Sequence, residues 1–212
     1  MRVSIRFASV LALGLAMAGA IGSAEVRADY KLVAEPIYPP EKSAEVYKPL
    51  IAYLNKATGE KFVLVTPRNY RCYWRDLKQT EGVDFAIDEA HLADYRLQRY
   101  KFVPLVRTAE PTSYTLVTSV DVGSKGLEGL VGKKIVSMPA PSLGYALLLT
   151  MYPNPIQQPD IESNASSWRD AVEIVFAGEA DAAIIPTHLK DTYPNLSPVK
   201  TSKEFPGTLI SA

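Results

Sequence analysis

The sequence predicts an α/β protein of two similar lobes, each a mostly parallel sheet flanked by helices, the two joined by crossing strands. Three observations predict it. One stretch is written twice, as VDFAIDEAHLAD from Val83 to Asp94 and as ADAAIIPTHLKD from Ala180 to Asp191, with Asp84/Asp181, Ala86/Ala183, Ile87/Ile184, His91/His188, Leu92/Leu189 and Asp94/Asp191 in register. The echo continues downstream: Arg107-Thr108 is followed by TLVTS (115–119), and Lys200-Thr201 by TLISA (208–212). Two copies are too few for a stacked solenoid and fit a pair of lobes. Short apolar runs also alternate with stretches of helical period, the pattern of a parallel sheet covered by helices. Finally, 212 residues less a leader of 28 leave 184, enough for one large domain or two small lobes.

The leader is read from the start of the chain. Arg2 and Arg6 precede an apolar run from Ala8 to Ile21, and small residues follow, with cleavage expected after Ala28 and Ala24 as the alternative. The run falls short of the roughly 20 residues a membrane span needs. Residues 1–28 are therefore expected to be a signal peptide and the periplasm the destination. Taking Arg2, Arg6, Arg27 and Glu25 from 23 basic and 23 acidic residues leaves 20 and 22, a formal charge of −2. That balance does not suit a nucleic-acid surface, which is markedly basic. Cys72 is the single cysteine, so no internal disulfide can form. No cysteine stands at the leader junction, which argues against a lipid anchor.

Lobe one is expected over 29–113. Tyr30 to Ala34 reads as a strand and EPIYPP (35–40) as a loop. Ser43 is placed to cap a helix to about Ala57, with Tyr47, Leu50 and Leu54 on one face, Pro49 inside and Gly59 as the stop. Phe62 to Thr66 is the next strand, and Asn69 caps a helix carrying Tyr70, Tyr73, Trp74 and Leu77, ended by Gly82. Val83 to Ile87 is the third strand, and Asp88 is placed to cap a helix with Ala90, Ala93, Leu97 and Tyr100 inward. Phe102 to Val106 is a further strand, and 114–119 is expected to cross out of the lobe.

Lobe two is expected over 120–206. Lys133 to Ser137 is a strand and MPAP a rigid turn; Ser142 caps a helix bearing Tyr145, Leu148, Leu149 and Tyr152. Ser167 and Asp170 form a capping box for a helix with Trp168, Ala171, Val172 and Val175 on one side, stopped by Gly178. Ala180 to Ile185 is the repeated strand, and 207–212 is the return crossing.

In open α/β sheets a ligand binds beyond the carboxyl ends of the strands. The residues there are Tyr38, 68–70, Asp88 and Glu89, 140–144, 166–168 and 186–188. The helix start at 142–145 either holds an anion on its free N–H groups or is simply capped by Ser142. Tyr70, Tyr73 and Trp74 equally suit a core face. A two-lobe metal site from His91, His188 and Glu89 or Asp88 lacks any ligand spacing such as HxxxH, so no metal or cofactor is expected. Cys72 with a distant histidine would be the nucleophile of an enzyme, yet no local signature surrounds it, and no catalytic residue is assigned.

EPIYPP, YKPLIAYLNKATGEKFVLV, the aromatic of RNY, GVDFAI, YTLVTS, GLEGLVGKKIVSMPAPSLGY and AGEADAAI, in that order, resemble the phosphonate-binding family of periplasmic solute-binding proteins that serve ATP-driven importers. The resemblance spans nearly the whole chain after the leader. It implies the two-lobe periplasmic-binding-protein fold, a small polar or anionic ligand held between the lobes, and a permease in the inner membrane as partner. A sensor kinase is the alternative partner, a monomer is expected, and no nucleic acid is involved. Tyr70 matches a ligand-binding tyrosine of the family, and Gly144-Tyr145 matches the helix start after its anion loop. That loop is here Pro141, Ser142, Leu143, keeping one hydroxyl; a second binding tyrosine is replaced by Asp88 and a histidine by Trp168. An aspartate favours a cationic or hydroxylated group over a phosphonate. The ligand set implied is Tyr38, Tyr70 and Asp88 from lobe one, and Ser142, the amides of Leu143 and Gly144, and Trp168 from lobe two. The family continues past the return strand into further helices, whereas the sequence given stops at Ala212.

Overall fold

The computed structural model describes residues 29–79 and 82–212, so the expected signal peptide lies outside the described residues. The first lobe contains β1 (Tyr30–Ala34), α1 (Pro40–Thr58), β2 (Phe62–Val65), α2 (Tyr70–Gln79), β3 (Phe85–Asp88), α3 (Ala90–Tyr100) and β4 (Pro104–Arg107). The second contains β5 (Tyr114–Thr118), β6 (Lys134–Val136), α4 (Leu143–Met151), β7 (Asp160–Glu162), α5 (Trp168–Phe176), β8 (Ala182–Pro186) and β9 (Ser197–Thr201), after which β10 (Leu209–Ser211) returns to the first. The sheets run β2-β1-β3-β10-β4 and β7-β6-β8-β5-β9. In each, three strands are parallel, and a fourth, arriving from the other lobe, pairs antiparallel beside them.

The two copies of the repeated stretch provide β3 and β8, which hold the same place in their sheets. Their aspartates do the same work. Asp84 accepts the Lys31 N–H at 2.7 Å and Asp181 the Lys134 N–H at 2.9 Å, each fixing the start of the neighbouring strand. The copies part company after the strand: the first continues into α3, the second into a 3-10 segment, Thr187–Thr192. His91 thus sits half-buried in a helix while His188 is exposed.

β5 and β8 are buried along their whole length and form the middle of the second lobe's core. The strands read as crossings each lie within one sheet; the chain passes between lobes just before them, at 108–113 and 202–208. These two passages are tied together, Thr112 and Phe205 exchanging N–H···O bonds of 2.9 and 2.7 Å. Gly207 is pressed so closely on Thr108 and Glu110 that any side chain there would collide with them.

Helix ends follow local chemistry, with two departures from expectation. α1 begins at Pro40, where a missing N–H is one the helix could not have used, so Ser43 lies buried in the first turn instead of capping it. The N-cap of α3 is Glu89 without a side-chain cap bond, and Asp88 is the last residue of β3. Elsewhere the caps form as read: Asn69 Oδ1 accepts the Cys72 N–H at 2.9 Å, and Ser167 Oγ accepts that of Asp170 at 3.1 Å. β7 and β9, and a 3-10 segment at Gly123–Leu130, were not anticipated.

Candidate functional site

β1 and β3 are neighbours, so the residues just past their carboxyl ends, Glu35 and Glu89, are brought together. Glu35 donates its N–H to Ile87 O at 3.0 Å, and its Oε2 accepts the Glu89 N–H at 3.0 Å. Both side chains are buried. From the second lobe Tyr114, on β5, donates its hydroxyl to Glu89 Oε1. Two further bonds join the lobes: His91 Nε2 to Pro141 O at 3.1 Å and Arg71 Nη2 to Ser163 O at 3.3 Å. The wall opposite Glu89 is therefore Tyr114, whose ring meets Trp168 edge-on at 5.3 Å.

Successive residues of a strand point to opposite faces, and this separates Asp88 from Glu89. Asp88 does not face the second lobe. It is fully buried, its Oδ2 2.5 Å from Arg96 Nε and its Oδ1 accepting the Tyr73 hydroxyl. The Arg96 guanidinium also lies over the rings of Tyr73 and Phe102, which joins α2 and α3 through a buried polar cluster in which Arg96 Nη1 has no hydrogen-bond partner. Ion pairing thus occupies the carboxylate that the sequence offered for a ligand.

Tyr70 is buried at the start of α2, its ring 5.8 Å from that of Tyr73. Its hydroxyl interacts with Glu35, yet neither that hydroxyl nor Glu35 Oε1 has a partner at hydrogen-bond geometry. Tyr38 is half-buried in the loop after β1, its carbonyl accepting from Ser43 Oγ at 3.3 Å. Ser142 caps α4, accepting the Tyr145 N–H at 3.3 Å and donating to Met138 O at 3.2 Å. Its hydroxyl is thereby committed to its own helix start and the loop before it, whereas the N–H groups of Leu143 and Gly144, in the first turn, have no carbonyl four residues back within the helix. A Cβ on Gly144 would stand 2.5 Å from the Trp168 ring, so this glycine lets α4 close on Trp168 and Tyr114. Trp168 is itself 1% exposed, held in the core of the second lobe.

The electrostatics are those of crowded acids. Burial, then the charge of Glu89, holds the Glu35 carboxyl well above the usual carboxylate range. Burial lifts Glu89 to about 7, with Asp88 adding to the rise, and lifts Asp88 to about 6 against the opposing pull of Arg96. Burial lowers His91, which leaves its ring neutral near pH 7. Tyr70 and Tyr114 are pushed well above the ordinary phenol range, first by burial and then by these carboxylates. Glu35 and Tyr114 are residues that sequence reasoning did not select, and Glu89, noted at its strand end, was left out of the ligand set in favour of Asp88. The available signal was positional: Glu35 and Glu89 each directly follow a parallel strand.

Among the described residues, no group of three or more His, Cys, Asp or Glu is arranged to hold a metal ion, and no helix is long and apolar enough to cross a membrane.

Two α/β lobes, linked by paired passages and meeting over the carboxyl ends of their parallel strands, define a periplasmic solute-binding protein. Residues 32–212 match the family described as "ABC transporter, phosphonate, periplasmic substrate-binding protein", and the chain belongs to that family. The fold is similar to that of PhnD1 from Prochlorococcus marinus in complex with methylphosphonate (TM-score 0.69, 15% identity, 86% of this chain and 75% of that one). It is also similar to a binding component of a phosphonate ABC transporter from Pseudomonas aeruginosa (0.70, 16%, 87% and 68%). An ancestral arginine-binding protein bound to arginine shares it as well (0.62, 15%, 88% and 84%). Among curated proteins none matches the chain by sequence. The family is one of substrate-binding components of importers, which does not favour a signalling role.

Proposed function

We propose that the protein acts in the periplasm after removal of residues 1–28, closes its lobes on one small polar solute, and presents the closed form to the permease of an ABC importer. The solute is a phosphonate- or phosphate-like compound or a polar relative of one. Tyr38 and Tyr70 contribute from the first lobe, and the amides of Leu143 and Gly144, on the helix start that Ser142 caps, and the Trp168 ring from the second. Asp88 acts indirectly, by anchoring Arg96 behind the site. The observation that carries this reading is the meeting of the two lobes at strand ends, Glu89 with Tyr114 and His91 with Pro141. A solute seated there touches both lobes at once, so its affinity is greater for the closed form and drives closure.

Thermal unfolding of the leaderless protein, with and without methylphosphonate, phosphate, sulfate and small organic ammonium salts, tests the reading. A true ligand at a hundred times its Kd adds about 2.7 kcal/mol. For a chain of this size that is a rise in Tm of roughly 5–10 °C. A panel in which no small solute moves Tm would refute it.

A further inference from the structure

Four polar atoms near the ends of β1 and β3 are buried and unpartnered: Glu35 Oε1, Glu89 Oε2, His91 Nδ1 and the Tyr70 hydroxyl. With the proton of the Glu35–Glu89 pair removed, three of them can only accept. Carboxylate oxygens accept by nature when ionised. His91 Nε2 bonds the Pro141 carbonyl, which itself only accepts, so the ring's single proton is on Nε2 and Nδ1 presents a lone pair. That lone pair lies 3.8 Å from Glu89 Oε2, acceptor against acceptor. The Tyr70 hydroxyl, which interacts with Glu35, has one proton to give and lone pairs left over. On the face toward the second lobe the cluster lacks donors; the buried donor without a partner, Arg96 Nη1, lies behind it with Asp88.

Charge leads to the same conclusion. Glu35, Asp88 and Glu89 are three buried carboxylates, and the cation beside them, Arg96, is bound to Asp88. The charges acting most strongly on Glu35 and Glu89 are those of other carboxylates. An oxyanion would bring more acceptors and more negative charge to this spot. The residues here do not form a metal-binding group, since no set of three or more His, Cys, Asp or Glu among the described residues is arranged to hold one.

We infer that the first lobe's share of the binding site is a seat for a multi-donor organic cation, a primary ammonium or guanidinium group, received by Glu35, Glu89, His91 and Tyr70. An ammonium carries three N–H donors and a guanidinium five, enough to satisfy the orphaned acceptors together. Tyr114 and the Trp168 ring close the seat from the second lobe and supply aromatic surface of the kind that attracts cations. This inference rests on the solute-binding reading above and specifies the chemistry of its ligand. Proton linkage gives it a sign. The titratable groups around the seat are Glu35, Glu89, His91, Tyr70 and Tyr114, with Tyr47 of α1 acted on by Glu35 and with Asp88 paired to Arg96 on the opposite face. A cation displaces the proton held by the Glu35–Glu89 pair, so binding releases protons and tightens as pH rises.

The test is isothermal titration of the leaderless protein with ethylammonium, 1,4-diaminobutane, guanidinium and methylphosphonate, at pH 6 and pH 8. Two buffers of different ionisation enthalpy are used at each pH, and Glu35→Gln and Glu89→Gln are titrated beside the parent. Expected is binding of an ammonium or guanidinium probe, roughly tenfold tighter at pH 8 per proton released. Either glutamine variant should lose tenfold or more of that affinity while still unfolding cooperatively. Binding of methylphosphonate alone, with proton uptake, would overturn the inference and leave the solute-binding reading standing. So would cation binding that neither variant weakens. If none of these probes binds and the oxyanion panel is also silent, both fail.

Discussion

Glu89→Gln is predicted to stabilise the protein at pH 8 and to flatten the dependence of its stability on pH. Burial lifts the Glu89 carboxyl from 4.5 to about 7, so between those values the folded chain holds a proton that the unfolded chain has released. Stability therefore falls as pH rises across that window, the loss beginning above about 4.5 and completing above about 7. At about 1.36 kcal/mol per pKa unit the full loss from this one group is roughly 3 kcal/mol, an upper bound. Glutamine keeps the shape and still accepts from the Tyr114 hydroxyl, but has no charge to bury. Burial, which raises Glu35 most, remains, but the charge of Glu89 that adds to that rise is gone, which adds to the flattening. Urea unfolding of both proteins at pH 5 and pH 8 measures the effect. Asp88, also raised, shifts both proteins in the same direction and His91, lowered, in the opposite one, so the difference between them isolates Glu89 with its coupling to Glu35. The parent should lose roughly 2–3 kcal/mol more than the variant between the two pH values. Identical slopes would refute the reasoning.

Three further outcomes follow from the packing. Asp88→Asn leaves the buried Arg96 guanidinium without its counter-charge and should cost about 3–5 kcal/mol in urea unfolding. Gly144→Ala places a methyl group 2.5 Å from the Trp168 ring and should lower stability by roughly 1–3 kcal/mol, with altered near-UV circular dichroism from the displaced indole. Asp84→Ala and Asp181→Ala each free an N–H at the start of the neighbouring strand, so each should cost about 1 kcal/mol by thermal unfolding, and a large disparity would break the equivalence of the two lobes.

The two-lobe plan was legible because the repeat records a shared structural need. Asp84 and Asp181 fix the start of β1 and β6, and the alanines and isoleucines after them fill the central strands β3 and β8, where small and β-branched residues pack between two layers of helix. β7 and β9 were not legible: DIE is three residues with two charges, and SPVKT carries a proline near its start. Both lie at sheet edges, where neither burial nor alternation marks the sequence. At the site, Tyr70, Gly144 and Trp168 were visible by position, though the packing of Gly144 against Trp168 was not. Asp88 and Glu89 are adjacent carboxylates at a strand end, and which one faces the partner lobe depends on a one-residue phase that their types do not reveal. Arg96 decides it by drawing Asp88 inward across α3. Glu35 stands in a proline-rich segment that reads as surface loop, and only the pairing of β1 with β3 shows that it is buried beside Glu89.

Hydrogen–deuterium exchange with and without a saturating ligand most directly tests the claim that solute is held between the lobes. Slowed exchange is predicted together at 35–38 and 89–92 in the first lobe and at 142–145 and 167–169 in the second. Protection confined to one lobe, with the other unchanged at saturation, would contradict it.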